Sequence, residues 1–205
     1  MSCVKKNIEY FEISDSFFTT NFGRQFDYLK YVEPFQKPVF IAPGSVWETK
    51  KWEKNYFIEL INKLKQNGED IYLIGGQDDI DVCNYIAEKM KVNNLAGITT
   101  ITQLLELIRY AKLLITNDSA PCHLASLFNI PTITIYGPTS SKFGFTPLSG
   151  RSVFIEDKDL FCRPCSIHGD KKCPRNTMDC MKNISPEIVY NEYKNIGASA
   201  KSMIM

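Results

Sequence analysis

Two lysines and a hydroxyl that follow a glycine form the first group of side chains able to bind an anion. They lie in the segment PGSVWETKKW, as Gly44, Ser45, Lys50 and Lys51. A glycine lets a ligand approach the main chain closely, while hydroxyl and ammonium groups donate hydrogen bonds to phosphate oxygens. The segment therefore predicts a phosphate contact. The alternative is a solvated loop in which both lysines are ordinary surface residues.

A second group lies in the segment TNDSAPCHLA, where Asp118 and Ser119 directly precede a predicted helix. The free N–H groups and the positive dipole end of a helix N-terminus can hold a diphosphate. His123 falls one turn into that helix and can donate a hydrogen bond to the same anion. Two alternatives stay open here: Asp118 caps the helix, and His123 is a satisfied structural histidine.

Two further loops carry weaker signals. The segment GGQDD, with Gln77 at its centre, places two glycines at a strand-to-helix turn but does not match the pattern G-x-G-x-x-G. A tight turn in which Asp78 or Asp79 caps the next helix explains the same residues. The segment YGPTS is first of all a turn. Its Thr139 and Ser140 can supply hydroxyls to a sugar or phosphate, although no local feature demands that role.

The cysteines cluster near the end of the chain. Cys162, Cys165, Cys173 and Cys180 follow the spacing C-x2-C-x7-C-x6-C, which is compatible with a tetrahedral structural zinc site that pins a loop. The spacing lacks the second C-x2-C pair of a strong zinc motif. Seven cysteines without a secretory signal favour reduced thiols or a metal over a disulfide framework. Reduced buried thiols or a redox-labile pair therefore stand beside structural zinc as the alternative.

Short apolar runs alternate along the chain with segments of helical periodicity. Strands are predicted over 39–42, 71–74, 94–95, 113–115 and 132–136, and helices over 53–67, 79–90, 102–110 and 122–128. A last helix is predicted to begin with Ser185 as its N-cap and Pro186 at its first position. The alternation predicts an α/β fold with a doubly wound parallel sheet. In such sheets ligands bind at the carboxyl ends of the strands, where all four loops lie.

Composition limits the classes of protein. The 205 residues carry a formal net charge of +1, which gives no electrostatic indication of nucleic acid binding. The sequence shows no apolar run near the ~20 residues that span a bilayer, and we expect a soluble, cytoplasmic protein. We divide the chain into an aromatic-rich N-terminal arm or domain remnant over 1–36, one domain over 37–197 and a tail over 198–205.

The loops, taken together and in order, resemble the ADP-heptose:lipopolysaccharide heptosyltransferase family, which is glycosyltransferase family 9. The matching segments are PGSVWETKKW, LIGGQDD, NLAGITTITQLLELIRYAKLLITNDSAPCHLA, IPTITIYGPTS and the cysteine-rich segment that ends in CMKNISPEIV. Several separated motifs agree in their order, which is far more specific than any single loop. The resemblance covers about 38–196 and only the C-terminal half of the family. It implies a Rossmann-like fold, the C-terminal domain of a GT-B glycosyltransferase.

The resemblance also implies which residues bind the nucleotide-sugar donor. Ser45 and Lys50 fall where the family contacts the donor phosphates and sugar, and Gln77 and Thr99 fall near the nucleoside. The family's donor-binding motif at the helix start corresponds to Asp118, Ser119, Ala120 and His123. Position 120 is often glycine in the family, so its alanine limits how closely the diphosphate approaches the backbone.

The activity implied by the resemblance is an inverting transfer of heptose from ADP-heptose, or a related nucleotide sugar, to a lipopolysaccharide-type acceptor. No cofactor is required, because lysine, histidine and the helix end stabilise the departing diphosphate. The family's general base lies in its N-terminal domain, and so no catalytic base is named in this chain. A glycolipid acceptor is expected to bind through a missing or separate N-terminal domain, with peripheral association at the inner membrane.

The same fold is compatible with two functions other than a complete glycosyltransferase. A truncated or split donor-binding module would bind the nucleotide sugar but have no transferase activity on its own. A Rossmann-type oxidoreductase is disfavoured, because the first strand-to-helix turn has no G-x-G-x-x-G and no acidic residue placed for a ribose.

Overall fold

A computed structural model describes residues 37–202 of the chain, and side-chain surroundings up to residue 197. The expected N-terminal arm over 1–36 lies outside the described residues. The strands are β1 Val39–Ala42, β2 Ile71–Leu73, β3 Asn93–Asn94, β4 Leu113–Asn117, β5 Thr132–Tyr136 and β6 Val153–Glu156. The α-helices are α1 Lys54–Gln66, α2 Ile80–Met90, α3 Ile101–Arg109, α4 Ala120–Leu127, α5 Asp179–Lys182 and α6 Pro186–Ser202. Within residues 37–202, three short 3-10 helices cover Glu48–Lys50, Gln77–Asp79 and Ser141–Phe143.

The six strands form one parallel sheet in the order β3-β2-β1-β4-β5-β6. Ile41 of β1 pairs with Ile115 of β4, so the two strands at the centre of the sheet end side by side. β2 and β3 follow β1 toward one edge of the sheet, and β5 and β6 follow β4 toward the other edge. The boundary between β1 and β4 is the point where the strand order reverses, and sheets of this type bind ligands in the crevice at such a point. The structure confirms the predicted doubly wound α/β fold.

Helices cover both faces of the sheet, and the four inner strands β2, β1, β4 and β5 bury side chains on both of their sides. One core contains the apolar positions of α1 and α2 and the start of α6, packed on alternate strand residues such as Ile41 and Ile133. The other core packs α3 and α4 on the opposite residues, such as Phe40 and Leu114. Burying fully apolar strands on both faces is typical of parallel sheets.

Helix starts and stops follow the local signals. Thr100 caps α3 and accepts a hydrogen bond from the Gln103 amide, while the Gln103 side chain accepts one from the Thr100 amide. Pro186 opens α6 as predicted, and Gly68 lies directly beyond the end of α1. α6 is the longest helix of this part of the chain at 17 residues. Among residues 37–202, no helix combines the length and the apolar character needed to cross a membrane.

Four features differ from the sequence expectation. β6 was not predicted: its apolar run is only the three residues Val153, Phe154 and Ile155, and this edge strand leaves Phe154 exposed. β4 continues through Asn117, which brings polar residues into the buried sheet. α5, of only four residues, was also not predicted. α6 runs through Ser202, beyond the boundary drawn at residue 197.

Candidate functional site

A buried ion pair joins the first strand-to-helix loop to the loop after β4. The Lys50 ammonium nitrogen lies 2.6 Å from Oδ2 of Asp118, and the two side chains are only 12% and 6% exposed. Lys50 ends the 3-10 turn that follows β1, and Asp118 follows β4 directly. Since β1 and β4 flank the reversal of strand order, the pair lies at the crevice where this type of sheet binds ligands.

Asp118 is held by more than the lysine. Thr139 Oγ donates a 2.7 Å hydrogen bond to the same Oδ2, and the Asp118 amide donates to the Ile135 carbonyl at 3.0 Å. The N-cap position of α4 belongs to Ser119, whose backbone is extended. The alternative in which Asp118 caps this helix is therefore wrong. Its carboxylate instead points a negative charge at Lys50.

The N-terminus of α4 begins two residues beyond that carboxylate. Ser119 Oγ lies 3.2 Å from Thr116 Oγ and makes no capping bond, and Ala120 opens the helix as an exposed residue. His123 is also exposed, so it is not a buried structural histidine. A helix N-terminus carries partial positive charge and unsatisfied N–H groups, and a lysine beside it strengthens its attraction for an anion.

The amide side chain of Asn117 ties the first loop to β4. Its Nδ2 donates to the carbonyls of Pro43 at 2.8 Å and Gly44 at 3.2 Å, and its Oδ1 accepts from the Trp52 amide at 3.2 Å. Gly44 packs so closely on Asp79 that a β-carbon there would lie 1.9 Å from the carboxylate. Sequence analysis assigned Asn117 no role. The available signal was a polar amide ending an apolar strand.

The cysteine-bearing segment, residues 162–180, packs against the aliphatic part of the Lys50 side chain. Thr49 and Asp170 exchange main-chain and hydroxyl hydrogen bonds of 2.7 to 3.1 Å. Gly169, next to Asp170, has φ +97°, and a β-carbon there would lie 2.8 Å from Trp47 Cβ and 3.1 Å from Lys50 Cε. The segment therefore forms one wall of the site, a role that sequence analysis did not assign to it.

Arg163, between the first two cysteines of the cluster, anchors this wall. Its guanidinium is 6% exposed and donates to Glu156 Oε2 at 3.1 Å and to the carbonyls of Thr139 at 2.7 Å and Asp157 at 2.5 Å. It also donates to the Gly137 carbonyl. An arginine can satisfy this many acceptors because its five donors lie in one fixed plane. Sequence analysis missed Arg163, since nothing local distinguishes it from a surface arginine.

Glu156 remains ionised in this setting. Burial raises the pKa of Glu156, but hydrogen bonds from Ser141 and Arg163 outweigh it, so the pKa lies below its ordinary value. Ser141 Oγ donates to Oε1 at 2.9 Å. Arg163 donates to Oε2, which also accepts from the Ser141 amide at 3.4 Å, so both oxygens have donors. The result is a buried ion pair whose acceptors are satisfied, which is the condition for such a pair to hold its place.

The residues expected near a nucleoside lie on the other side of β1. Gln77 is exposed and donates through Nε2 to the Gly97 carbonyl at 2.6 Å. Thr99 is half-buried two residues further on, just beyond β3. Ser45 Oγ accepts from the Trp47 amide at 3.4 Å, a local turn within the first loop. The structure thus places the sequence-predicted residues in two groups, one around Lys50 and Asp118 and one around Gln77 and Thr99.

The clustered thiols differ in their surroundings. Cys165 Sγ lies 3.1 Å from the Cys162 carbonyl, and Cys165 is exposed whereas Cys180 is buried. Burial raises the pKa of Cys180 to about 11. In the part of the chain from 37 to 202, no group of three or more His, Cys, Asp or Glu side chains is arranged to hold a metal ion. Structural zinc at Cys162, Cys165, Cys173 and Cys180 stays a prediction. Elemental analysis decides it, with about one zinc per chain in support and less than about a tenth against.

Comparison with known proteins identifies related sequences and folds. The sequence profile of glycosyltransferase family 9 (heptosyltransferase) matches residues 9–174. The match starts and ends earlier than the range 38–196 expected from the sequence. Lipooligosaccharide heptosyltransferase 2 of Campylobacter jejuni (strain 81116) is 33% identical over 180 residues, which are 82% of this chain and 55% of that protein.

Solved structures show the same fold. The structure of E. coli ADP-heptose LPS heptosyltransferase II matches with a TM-score of 0.70 and 24% identity, over 93% of this chain and 54% of that one. E. coli heptosyltransferase WaaC with ADP matches with a TM-score of 0.60 and 18% identity, over 88% and 48%. The chain therefore spans about half the length of the proteins it matches.

Proposed function

Because the chain belongs to glycosyltransferase family 9, we propose that it binds an ADP-activated heptose and supplies the donor side of an inverting transfer to a lipopolysaccharide-type acceptor. One observation carries the donor site: Lys50 and Asp118 meet at the reversal of strand order, beside the N-terminus of α4. A buried cation next to a helix N-terminus is suited to a diphosphate.

The proposed chemistry needs positive charge where the leaving group departs. An acceptor hydroxyl loses its proton to a carboxylate base and forms a bond to the anomeric carbon, while the bond from that carbon to the diphosphate breaks and ADP leaves. Lys50, His123 and the N–H groups of α4 stabilise the negative charge that grows on the diphosphate. Gln77 and Thr99 contact the nucleoside, and Ser45 contacts the phosphates or sugar.

The acceptor side of the reaction is part of the same proposal. We assign no general base within residues 37–202, and we place the base and the glycolipid acceptor on a second domain or partner chain. Peripheral contact with the cytoplasmic face of the inner membrane would bring the acceptor within reach. The support for this assignment is that related proteins have about twice the length covered by the match.

Calorimetric titration with ADP, UDP and GDP tests the donor site. We expect selective binding of ADP, and we expect Lys50→Met, Asp118→Ala and His123→Ala to weaken it. Loss of one charged hydrogen bond costs about 1.5–3 kcal/mol, or roughly 10- to 150-fold in affinity for Lys50→Met. Lys51→Met is the matched control, because Lys51 pairs with Glu48 at the surface and should change ADP affinity less than twofold.

Two results would contradict the proposal. Equal affinity for all three nucleotides, or none for any, would reject the ADP-specific donor site. An equal effect of Lys50→Met and Lys51→Met would show that the buried pair has no special part in binding. Selective ADP binding without sugar transfer to lipopolysaccharide acceptors would favour a donor-binding module that needs a partner for catalysis.

A further inference from the structure

We propose that Thr139 is a positioning residue, which holds the Asp118 carboxylate in place while Lys50 turns from that carboxylate to the donor diphosphate. This inference rests on the proposed function, because it assigns a reason for one hydroxyl within the donor site. The relevant geometry is that Thr139 and Lys50 both donate to one oxygen atom, Asp118 Oδ2, at 2.7 and 2.6 Å.

The direction of the Thr139 hydrogen bond is determined by chemistry. An ionised carboxylate only accepts hydrogen bonds, so the Thr139 hydroxyl must be the donor. Thr139 is 2% exposed and Asp118 is 6% exposed, and water therefore has little access to replace the hydroxyl. Asp118 consequently has two protein donors on Oδ2, one neutral and fixed, the other charged and carried on a long side chain.

The neutral donor is fixed because its main chain is clamped. Arg163 donates to the Thr139 carbonyl at 2.7 Å and is itself paired with Glu156. The Cys165 amide donates to the carbonyl of Pro138, the preceding residue, at 2.9 Å. The loop after β5 is thus held from the cysteine-bearing segment, and Thr139 presents its hydroxyl to Asp118 without depending on Lys50.

The hydrogen bond from Thr139 lowers the cost of unpairing Asp118 when an anion binds Lys50. When Lys50 shifts its hydrogen bonds to a diphosphate, a buried Asp118 without another partner would be left as an uncompensated charge, which is costly. The Thr139 hydroxyl keeps a donor on Oδ2 throughout that exchange. Without it, Asp118 competes with the diphosphate for Lys50, and donor affinity falls.

The test compares Thr139→Val with Thr139→Ser in calorimetric titrations with ADP and with inorganic pyrophosphate. Thr139→Val should weaken both ligands by about five- to tenfold, since both present a diphosphate, whereas Thr139→Ser should remain within about twofold of the wild type. Thr132→Val is the matched control. It removes a buried hydroxyl from the same part of the chain, one that donates to the Ile130 carbonyl at 3.0 Å, and should leave both affinities unchanged.

A double-mutant cycle with Lys50 and Thr139 tests the positioning role of Thr139 separately from donor binding itself. In a Lys50→Met background, Thr139→Val should have less than about a twofold further effect, because the lysine through which it acts is gone. Additive effects, or equal losses from Thr139→Val and Thr132→Val, would overturn the positioning role while leaving the donor site intact. A wild-type protein that binds neither ligand would overturn the proposed function, and the inference with it.

Discussion

The two sides of the sheet's carboxyl edge are built differently. Beyond β1, β4 and β5 the polar groups are buried and bonded in series, from Glu156 through Arg163 and Thr139 to the pair of Asp118 and Lys50. Beyond β2 and β3, Gln77 is exposed and Thr99 is half-buried, and the hydrogen bond from Gln77 to the Gly97 carbonyl is itself exposed. The polar groups that surround Lys50 are thus held by buried hydrogen bonds on one side, and the other side is open.

This difference matches what each side is proposed to bind. Charge that develops on a leaving diphosphate is stabilised best by groups that need no reorganisation at the moment of reaction. A nucleoside contributes binding energy but not reactive charge, and exposed loops suffice to contact it.

The largest effect is expected from Arg163→Met, which removes the guanidinium and keeps much of the side-chain length. Glu156 and the carbonyls of Thr139 and Asp157 would lose a buried donor. The free energy of unfolding, measured by urea denaturation, should fall by about 3–5 kcal/mol. Arg151→Met at an exposed arginine is the control and should change it by less than about 0.5 kcal/mol. Similar costs for the two variants would refute the buried anchor.

The next largest effect on the free energy of unfolding is expected at Gly169. Comparison with Gly144 distinguishes the cost of a steric clash from the cost of an unfavourable backbone conformation. Gly169 and Gly144 both have positive φ, +97° and +87°, but only Gly169 faces neighbours that a β-carbon would strike. Gly144→Ala should cost about 1 kcal/mol for the backbone alone, and Gly169→Ala about 2–3 kcal/mol. Thermal and urea unfolding measure both. ADP affinity should fall only in Gly169→Ala, because the clash pushes on Lys50.

A smaller effect concerns acid stability. Since the pKa of Glu156 is lowered in the folded protein, its stabilising contribution is present above the ordinary glutamate pKa of about 4.3 and is lost as pH falls through the folded value. Glu156→Gln should therefore be less stable than the wild type at pH 7, and the difference should shrink at pH 3. Urea titrations across this range measure it. With the exposed Glu88→Gln as control, a difference independent of pH would contradict the ionised pair.

The smallest effect is expected on the open side. Gln77→Ala removes an exposed hydrogen bond to the Gly97 carbonyl and should change the free energy of unfolding by less than about 0.5 kcal/mol. It should weaken ADP binding less than Lys50→Met does. An unfolding cost above about 1.5 kcal/mol would show that both sides are equally rigid and would remove the contrast between them.

Local patterns were sufficient for most of the fold and for part of the site. The alternation of buried strands and amphipathic helices depends on neighbours a few residues apart, and the sequence therefore predicted five of the strands near their observed places. The same alternation predicts where each strand ends, and therefore which residues lie at the carboxyl edge of the sheet. Lys50 and Asp118 were named for that reason, and parallel strands necessarily bring such ends to one edge.

Contacts between distant segments could not be predicted in this way. Arg163 and Thr139 are 24 residues apart, Thr49 and Asp170 are 121 apart, and nothing in their immediate sequence indicates a partner. The cysteine spacing led to a prediction about metal binding for the segment of Cys162 and Cys165. In the structure, Arg163 and Gly169 of that segment are the residues that contact the site. β6 likewise depends on pairing with β5 rather than on its own apolar content.

Side-chain periodicity and strand direction are local properties, so the sequence alone predicted which segments become strands and helices and which loops meet at the carboxyl edge. The partners of the polar groups at that edge became apparent only in the folded chain: Asp118 pairs with Lys50 and does not cap the helix, Thr139 donates to Asp118, and Arg163 holds the loop after β5. These partners follow from burial, because a polar group removed from water must form its hydrogen bonds with whichever groups packing brings near it.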